Sequence, residues 1–360
     1  MMGSTRFLRD ILRQPAEMLR TIEHLTGPAS GKLEKASALV RTAGHVFLTG
    51  IGASWNAGLC AGALFDLGGR SVFMREAGEL LHMTALPQGS VIIALSRTGR
   101  SIEIVQLIAK AARHLIPLIG ITNSADSPLA RDSQVAIVIP TALDHAISVN
   151  AYSSVLLTAS ALAASVAGGF RPVADQLCRT IEQCENAIKF WRNDLESSNW
   201  LAPAVPYYFL ARGGSLGTCH EARLLWEEGV KMPATAMATS TFRHGPQEVV
   251  RSGLRVCMWI AQAQMRHQDL AVASDLRELG ARVMLIGENL GKDAADLVCQ
   301  LPSSPPNWQF VVDVLPVQLA AERLARISGV DCDSFRLCSY VVEDEYGLLR
   351  RKPEGSSNAG

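Results

Sequence analysis

The sequence predicts an α/β protein built as two tandem, doubly wound parallel-sheet domains, and three observations predict it. Short continuous apolar segments such as VIIALS, PLIGITN and RVCMWIA alternate with amphipathic helical patterns such as IEIVQLIAKAARHL, as in parallel sheets covered on both faces. A strand, a glycine-bearing turn and a helix, HVFLTGIGASWNAGLCAGALF (45–65), recur about 160 residues later as YYFLARGGSLGTCHEARLLW (207–226). The length, 360 residues, suffices for two such units with ample core.

Residues 1–29 read as a helical segment that packs on one of the domains. Its start, MMGSTRFLRDILRQPAEML, carries charges within the apolar periodicity and lacks the apolar run of a secretory signal. The first domain, 30–190, has strand segments in HVFLT, SVFMREA, VIIALS, PLIGITN and VAIVIP. Its run SSVLLTASALAASVAGGF is short and broken by Ser, Thr and Gly, so it reads as a buried helix rather than a membrane span. KFWRNDLESSNWLAPAVP (189–206) reads as a polar, Pro-bearing connection. The second domain, 200–345, follows with strands in YYFLA, ATAMATS, RVCMWIA and RVMLIG. Residues 346–360, ending RRKPEGSSNAG, form a polar tail expected to fray.

Lys and Arg total 34 and Asp and Glu total 34, so the global field favours neither nucleic acid nor a membrane surface. Any anion site has to be local. The eight cysteines (60, 178, 184, 219, 257, 299, 332 and 338) form no C-x-x-C pair, and several lie in apolar elements. They read as buried free thiols of a reducing cytoplasm, with no metal site and no cofactor expected.

The joint between VIIAL and the helix after it is crowded with Ser96, Arg97, Thr98, Gly99, Arg100 and Ser101. In doubly wound sheets ligands bind beyond the carboxyl ends of strands, where helix N-termini favour anions. Hydroxyls and a glycine at that place suit a phosphate, although one such loop read alone is equally a Ser/Thr-rich helix cap. Two more hydroxyl-bearing helix entries shift the balance: Gly52 and Ser54 in GIGASW, and Ser148, Ser153 and Ser154 in AISVNAYSS. Together they suggest a phosphorylated, polyhydroxylated ligand. No nucleotide P-loop is present, and GIGASWNAG lacks the full dinucleotide spacing. The matching loop of the second half, IAQAQMRHQ, has no hydroxyls, so one anion pocket per chain is expected.

With its G-x-G-x-S turn, its SRTGRS loop and EEGVKMPATAMATSTFRHGPQE, the chain resembles the sugar isomerase (SIS) family. The likeness is to double-SIS members: the isomerase half of glucosamine-6-phosphate synthase, and stand-alone glucosamine-6-phosphate deaminases and fructosamine-6-phosphate deglycases. It covers nearly the whole chain, about 5–345, including GVDCDSFR. It implies two flavodoxin-like SIS domains, without the glutamine-hydrolysing domain of the synthase. It implies that Ser54, Ser96, Thr98 and Ser101 contact a sugar phosphate. Arg97 stands where the family usually has Gln, and Arg100 where it usually has Glu, which makes the pocket more positive. A surface ion pair is the other reading of either arginine.

Moving a proton between C1 and C2 of an open-chain sugar needs a carboxylate whose pKa is lifted toward neutrality, and ring opening needs a histidine. The resemblance assigns these roles to Glu228 and His244, sixteen residues apart. It also implies a homodimer in which the histidine loop reaches the neighbouring subunit's site. Each has an ordinary alternative: Glu227 and Glu228 as solvated helix surface, His244 as a plain loop residue. Glu221, seven residues before Glu228, is expected on the same helix face. His220 is a weaker acid–base candidate, and Arg243 and Glu248 flank the histidine. The family's helix lysine and C-terminal lysine are replaced by Leu225 and Tyr340, and Lys231 matches no catalytic position. Without those amines, imine chemistry on the enzyme loses its nucleophile. The expectation is therefore proton transfer on an amino sugar or ketosamine 6-phosphate that supplies its own nitrogen and releases the amine. A simple phosphosugar isomerase and a non-catalytic sugar-phosphate-binding protein are the alternatives.

Overall fold

The computed structural model describes residues 4–261, 264–345 and 347–348. Of the tail 346–360, all but Gly347 and Leu348 lie outside the described residues.

Two helices, α1 (Arg6–Thr26) and α2 (Ser30–Thr42), precede the first sheet. The hydroxyl of Thr5 caps α1 by accepting the Leu8 N–H at 3.0 Å. Then come β1 (His45–Thr49), α3 (Ala53–Leu67), β2 (Phe73–Met74), α4 (Ala77–His82), β3 (Ser90–Leu95), α5 (Ile102–Arg113), β4 (Leu118–Thr122), α6 (Pro128–Asp132) and β5 (Val135–Val138). All pairings are parallel, in the order β2-β1-β3-β4-β5. The segment SVFMREA yields only a two-residue edge strand, because Glu76 turns the chain into α4 by accepting the Gly78 N–H at 2.8 Å.

Helices α7 (Asn150–Ala167) and α8 (Arg171–Ser197) connect the halves. By length and composition α7 could cross a membrane, but most of it is buried inside the protein. Helix α8 runs through residues expected to be a polar connection. Ile188, Trp191 and Leu195 continue its buried stripe, and the link shrinks to 198–206.

The second half has β6 (Tyr207–Ala211), α9 (Ser215–Leu225), β7 (Thr235–Ala238), α10 (Thr239–Phe242), β8 (Arg255–Ile260), α11 (Arg266–Glu278), β9 (Arg282–Gly287), β10 (Leu297–Gln300) and α12 (Leu315–Ile327). Its parallel sheet has the order β10-β9-β8-β6-β7. The duplication read in the sequence is thus two five-stranded doubly wound sheets.

One apolar core joins them. It runs from Phe7 and Ile11 of α1 through Phe65, Leu156 and Leu177 to Phe209, Trp226 and Trp259. Smaller clusters lie under the outer helices of each sheet. Where α3 meets α9, a Cβ on Gly217 would fall 2.4 Å from both the Asn56 carbonyl and the Cys60 sulfur.

Candidate functional site

In the first sheet the chain steps from β1 outward to β2, and from β3 outward to β4. The crevice beyond the ends of β1 and β3 is therefore the switch point at which doubly wound sheets hold ligands. A cavity of about 220 Å³ lies there. Gly52 and Ser54 reach it from the β1–α3 turn, and Ser96, Arg97, Thr98 and Ser101 from the β3–α5 loop. Ser148 comes from the segment before α7, and Glu228 arrives from the second half.

The loop is built to present hydroxyls. The buried Ser96 oxygen accepts the Gly99 N–H at 3.0 Å, which leaves its own proton free to donate. Gly99 has φ of +61°, and a Cβ there would lie 2.4 Å from the Ser127 hydroxyl. It is the pivot of the turn and does not line the cavity, a correction to its expected ligand role. Among the described residues, the hydroxyls of Ser54, Ser101 and Ser148 make no hydrogen bond. Ser101 precedes α5 without capping it. The start of α5 accordingly offers N–H groups and the positive end of a twelve-residue helix.

The two loop arginines part ways. Arg100 turns outward to the Asp126 carboxylate at 3.1 Å and donates to its carbonyl at 3.0 Å. It is a surface ion pair and does not line the cavity. Arg97 has no carboxylate within ion-pair distance among the described residues; its guanidinium donates to the carbonyls of Ala146 at 3.3 Å and Tyr340 at 3.0 Å.

Glu228 sits on one turn of π-helix, Trp226–Val230, that ends α9. Such widened turns displace side chains from the α-helical register and recur at functional sites. Glu221, in the α-helical part before that turn, is near enough for the Glu228 charge to act on it. Glu221 is buried against α3, accepting from the Asn56 amide at 2.8 Å, and does not line the cavity. Burial is the main cause that raises its carboxyl to about 8, opposed by the Asn56 hydrogen bond. Burial likewise raises Glu228 to about 7, against the opposing pull of Arg97 and Lys231. A carboxyl poised there both accepts and returns a proton near neutrality. Lys231 donates to the Glu228 and Ser334 carbonyls.

A strap formed by residues 335–342 closes the cavity, and sequence reasoning identified only Tyr340 in it. Phe335, Cys338, Ser339, Tyr340, Val341 and Val342 line the wall. The Val342 carbonyl accepts the Ile102 N–H at 3.0 Å, at the first turn of α5. The strap has no regular secondary structure and hence no periodicity to detect. Glu103 of α5 also lines the cavity and went unremarked in the sequence.

His244 and Arg243 are exposed on the loop after α10, with Glu248 beside them, and none lines the cavity of its own chain. His220 is half-buried on α9 and also lies outside it. Ser153 and Ser154 are buried in α7, bonded to the Val149 and Ala151 carbonyls at 3.1 Å. In the second sheet, Arg212 after β6 donates to Asp269 of α11 at 2.8 Å. Two residues of the loop compared with the hydroxyl loop, Gln262 and Ala263, lie outside the described residues. Among the described residues no group of three or more His, Cys, Asp or Glu side chains is gathered for a metal.

Residues 39–167 match the family model described as the SIS domain. The chain is 25% identical over 344 residues to the isomerizing glutamine–fructose-6-phosphate aminotransferase of Sulfurisphaera tokodaii, covering 94% of this chain and 56% of that protein. It thus spans just over half the length of that relative. Among solved structures, the C-terminal domain of glucosamine-fructose-6-phosphate aminotransferase from Francisella tularensis superposes with a TM-score of 0.79 at 20% identity, covering 92% of this chain and 98% of that one. A glucosamine-6-phosphate deaminase from Thermotoga maritima gives 0.79 at 22% identity, covering 94% and 99%. At these identities the structural likenesses speak to the fold.

Proposed function

We propose that this chain, whose residues 39–167 match the SIS domain, binds a sugar phosphate beyond β1 and β3 and moves a proton between C1 and C2 with Glu228. The substrate is an amino sugar or ketosamine 6-phosphate, and the amine is released. One observation carries this reading: a carboxyl held at about 7 faces the same cavity as a set of hydroxyls with no internal partner. A pocket made only for binding has no need of a buried carboxyl near neutrality. The relatives' names, an aminotransferase acting on fructose 6-phosphate and a glucosamine-6-phosphate deaminase, support the substrate class.

The phosphate takes hydrogen bonds from Ser96, Thr98 and Ser101 and from the start of α5, while Arg97 supplies the positive charge. For a ketosamine, Glu228 removes a proton from C1 and the resulting enaminol is protonated at C2. Water then hydrolyses the aldimine to an aldose phosphate and free amine. The nitrogen comes from the substrate, so this sequence needs no enzyme lysine at Leu225 or Tyr340. His244 supplies the ring-opening proton from a partner subunit, because its exposed loop lies away from its own cavity. The eight free cysteines accord with a reducing compartment, the cytoplasm.

A thermal-shift screen over hexose, hexosamine and fructosamine 6-phosphates, followed by ammonia or amine detection on the ligands that bind, tests the proposal. Binding with amine release supports it. Aldose–ketose interconversion alone gives the simple isomerase instead, and binding without turnover gives the sensor.

A further inference from the structure

The strap that closes the cavity starts from a fixed root. Just before it, the Asp333 carboxylate accepts the N–H groups of Arg6 and Phe7, both at 2.8 Å, at the start of α1. Cys332 is buried, and the Asp331 carboxylate accepts the Ser334 hydroxyl at 2.5 Å. The Ser334 carbonyl in turn accepts from the Lys231 ammonium at 2.9 Å. The same ammonium donates to the carbonyl of Glu228 on the π-turn. One side chain thus bonds both the backbone of the cavity's carboxyl residue and the backbone from which the strap departs.

Lys231 does this from an unfavourable backbone. With φ of +59° and ψ of +32° it ends the π-turn in the left-handed region. Glycine or asparagine closes such a turn with less strain, so a lysine there points to a use for its side chain. Burial works against its charge, which Asp331, Cys332 and Glu228 favour and Arg336 opposes. The groups that face Glu228 are Arg97 from the β3–α5 loop, Glu221 from α9, Cys338 from the strap, and Glu227 and Lys231 from its own turn. The two cations among them are also the two clasps of the strap, Arg97 at Tyr340 and Lys231 at Ser334. Resting on the function proposed above, we infer that Lys231 is a positioning residue that anchors the root of the strap to the turn bearing Glu228, so that hinge and proton-transferring group keep one geometry while the far end of the strap opens.

Three variants of the full chain test this without a substrate. Lys231→Met keeps the stem and removes the charge. Lys231→Asn also relieves the left-handed backbone, so a change common to both is not a folding defect. Limited proteolysis within 335–342 should run about two- to tenfold faster in both, as expected for one lost hydrogen bond. The Glu228 carboxyl, at about 7 in the wild-type chain, should titrate about half a pH unit to one pH unit higher, because a nearby cation favours its charged form. Carbon-13 NMR of the glutamate carboxyls reads that titration, with the Glu228 resonance assigned by its loss in Glu228→Gln. Lys231→Arg keeps charge and donors, and should stay within about twofold of wild type in cleavage and about 0.3 pH unit in titration. Wild-type behaviour of Lys231→Met and Lys231→Asn, a change in only one of the two readings, or the same changes in Lys231→Arg overturn the inference. Both changes in a chain that turns over no sugar phosphate leave the anchor standing and remove the proposed function. Turnover with neither change does the reverse.

Discussion

The guanidinium carbon of Arg97 lies 3.9 Å from the centre of the Tyr340 ring, and one of its nitrogens donates to the Tyr340 carbonyl at 3.0 Å. These residues are 243 positions apart in the chain. The cation proposed to meet the phosphate is thus also the clasp of the strap.

Replacing Tyr340 by Ala removes the stacked face but not the backbone acceptor. A cation–π contact of about 0.5–2 kcal/mol predicts a loss of two- to thirtyfold in sugar-phosphate affinity, and faster proteolysis within 335–342. Tyr340→Phe should preserve both. Calorimetry and timed limited proteolysis give the two readings, and equal behaviour of the Ala and Phe variants would remove the ring from the account.

Ser96→Ala deletes a donor and leaves the Gly99 N–H without its acceptor. The affinity for phosphorylated sugars should drop about ten- to 150-fold, in line with about 1.5–3 kcal/mol for a hydrogen bond to a charged group. Unphosphorylated sugars should lose far less. Equal losses for the two would contradict phosphate binding at this loop.

Glu228→Gln keeps the shape of the wall and removes the titrating group. Turnover should fall at least about a hundredfold while ligand binding stays within a few-fold. Unchanged turnover, followed by product assay, would take Glu228 out of the mechanism.

Chains carrying Glu228→Gln and chains carrying His244→Ala should each be inactive. Mixed and re-associated, they should recover up to about a quarter of wild-type activity if the histidine serves the partner's cavity, since one site of each hybrid dimer is then intact. No recovery in dimers shown by native mass spectrometry to be mixed would place the histidine elsewhere.

Stability should decline as pH rises. Glu221, Glu228 and Asp313 have carboxyls that burial raises to about 8, about 7 and about 7. Between the ordinary carboxylate range and those values the native state holds more protons than the unfolded chain. The stabilisation is therefore complete below the ordinary carboxylate pKa and is lost as pH climbs through about 7 to 8. Denaturant midpoints at several pH values should show this slope, and Glu221→Gln should flatten it; a slope unaltered in that variant would argue against a proton on Glu221.

The sheets and hydroxyl turns were legible because a strand, its turn and the next helix are contiguous and carry their own periodicity. Ser54, Ser96, Thr98 and Ser101 could be read in that way, and all four line the cavity. Gly99 and Arg100 could not be separated from them, since the Ser127 and Asp126 that engage them come from another loop. The π-turn after Leu225 was not legible, because an α-helical period does not foresee an extra residue in one turn. The strap was invisible for a different reason: its order comes from long-range contacts such as Val342 with Ile102.

The close approach at Gly217 has a consequence for how a substrate enters. Since no side-chain carbon fits between α9 and the α3 backbone there, the lobes abut along a seam with no spare room to rock. Domain hinging is a poor route of admission for such a chassis. Traffic falls instead to the eight-residue flap from Phe335 to Val342, whose ties include the Arg97 clasp, the Ile102 N–H and the Tyr340 hydroxyl on the Asp144 carbonyl.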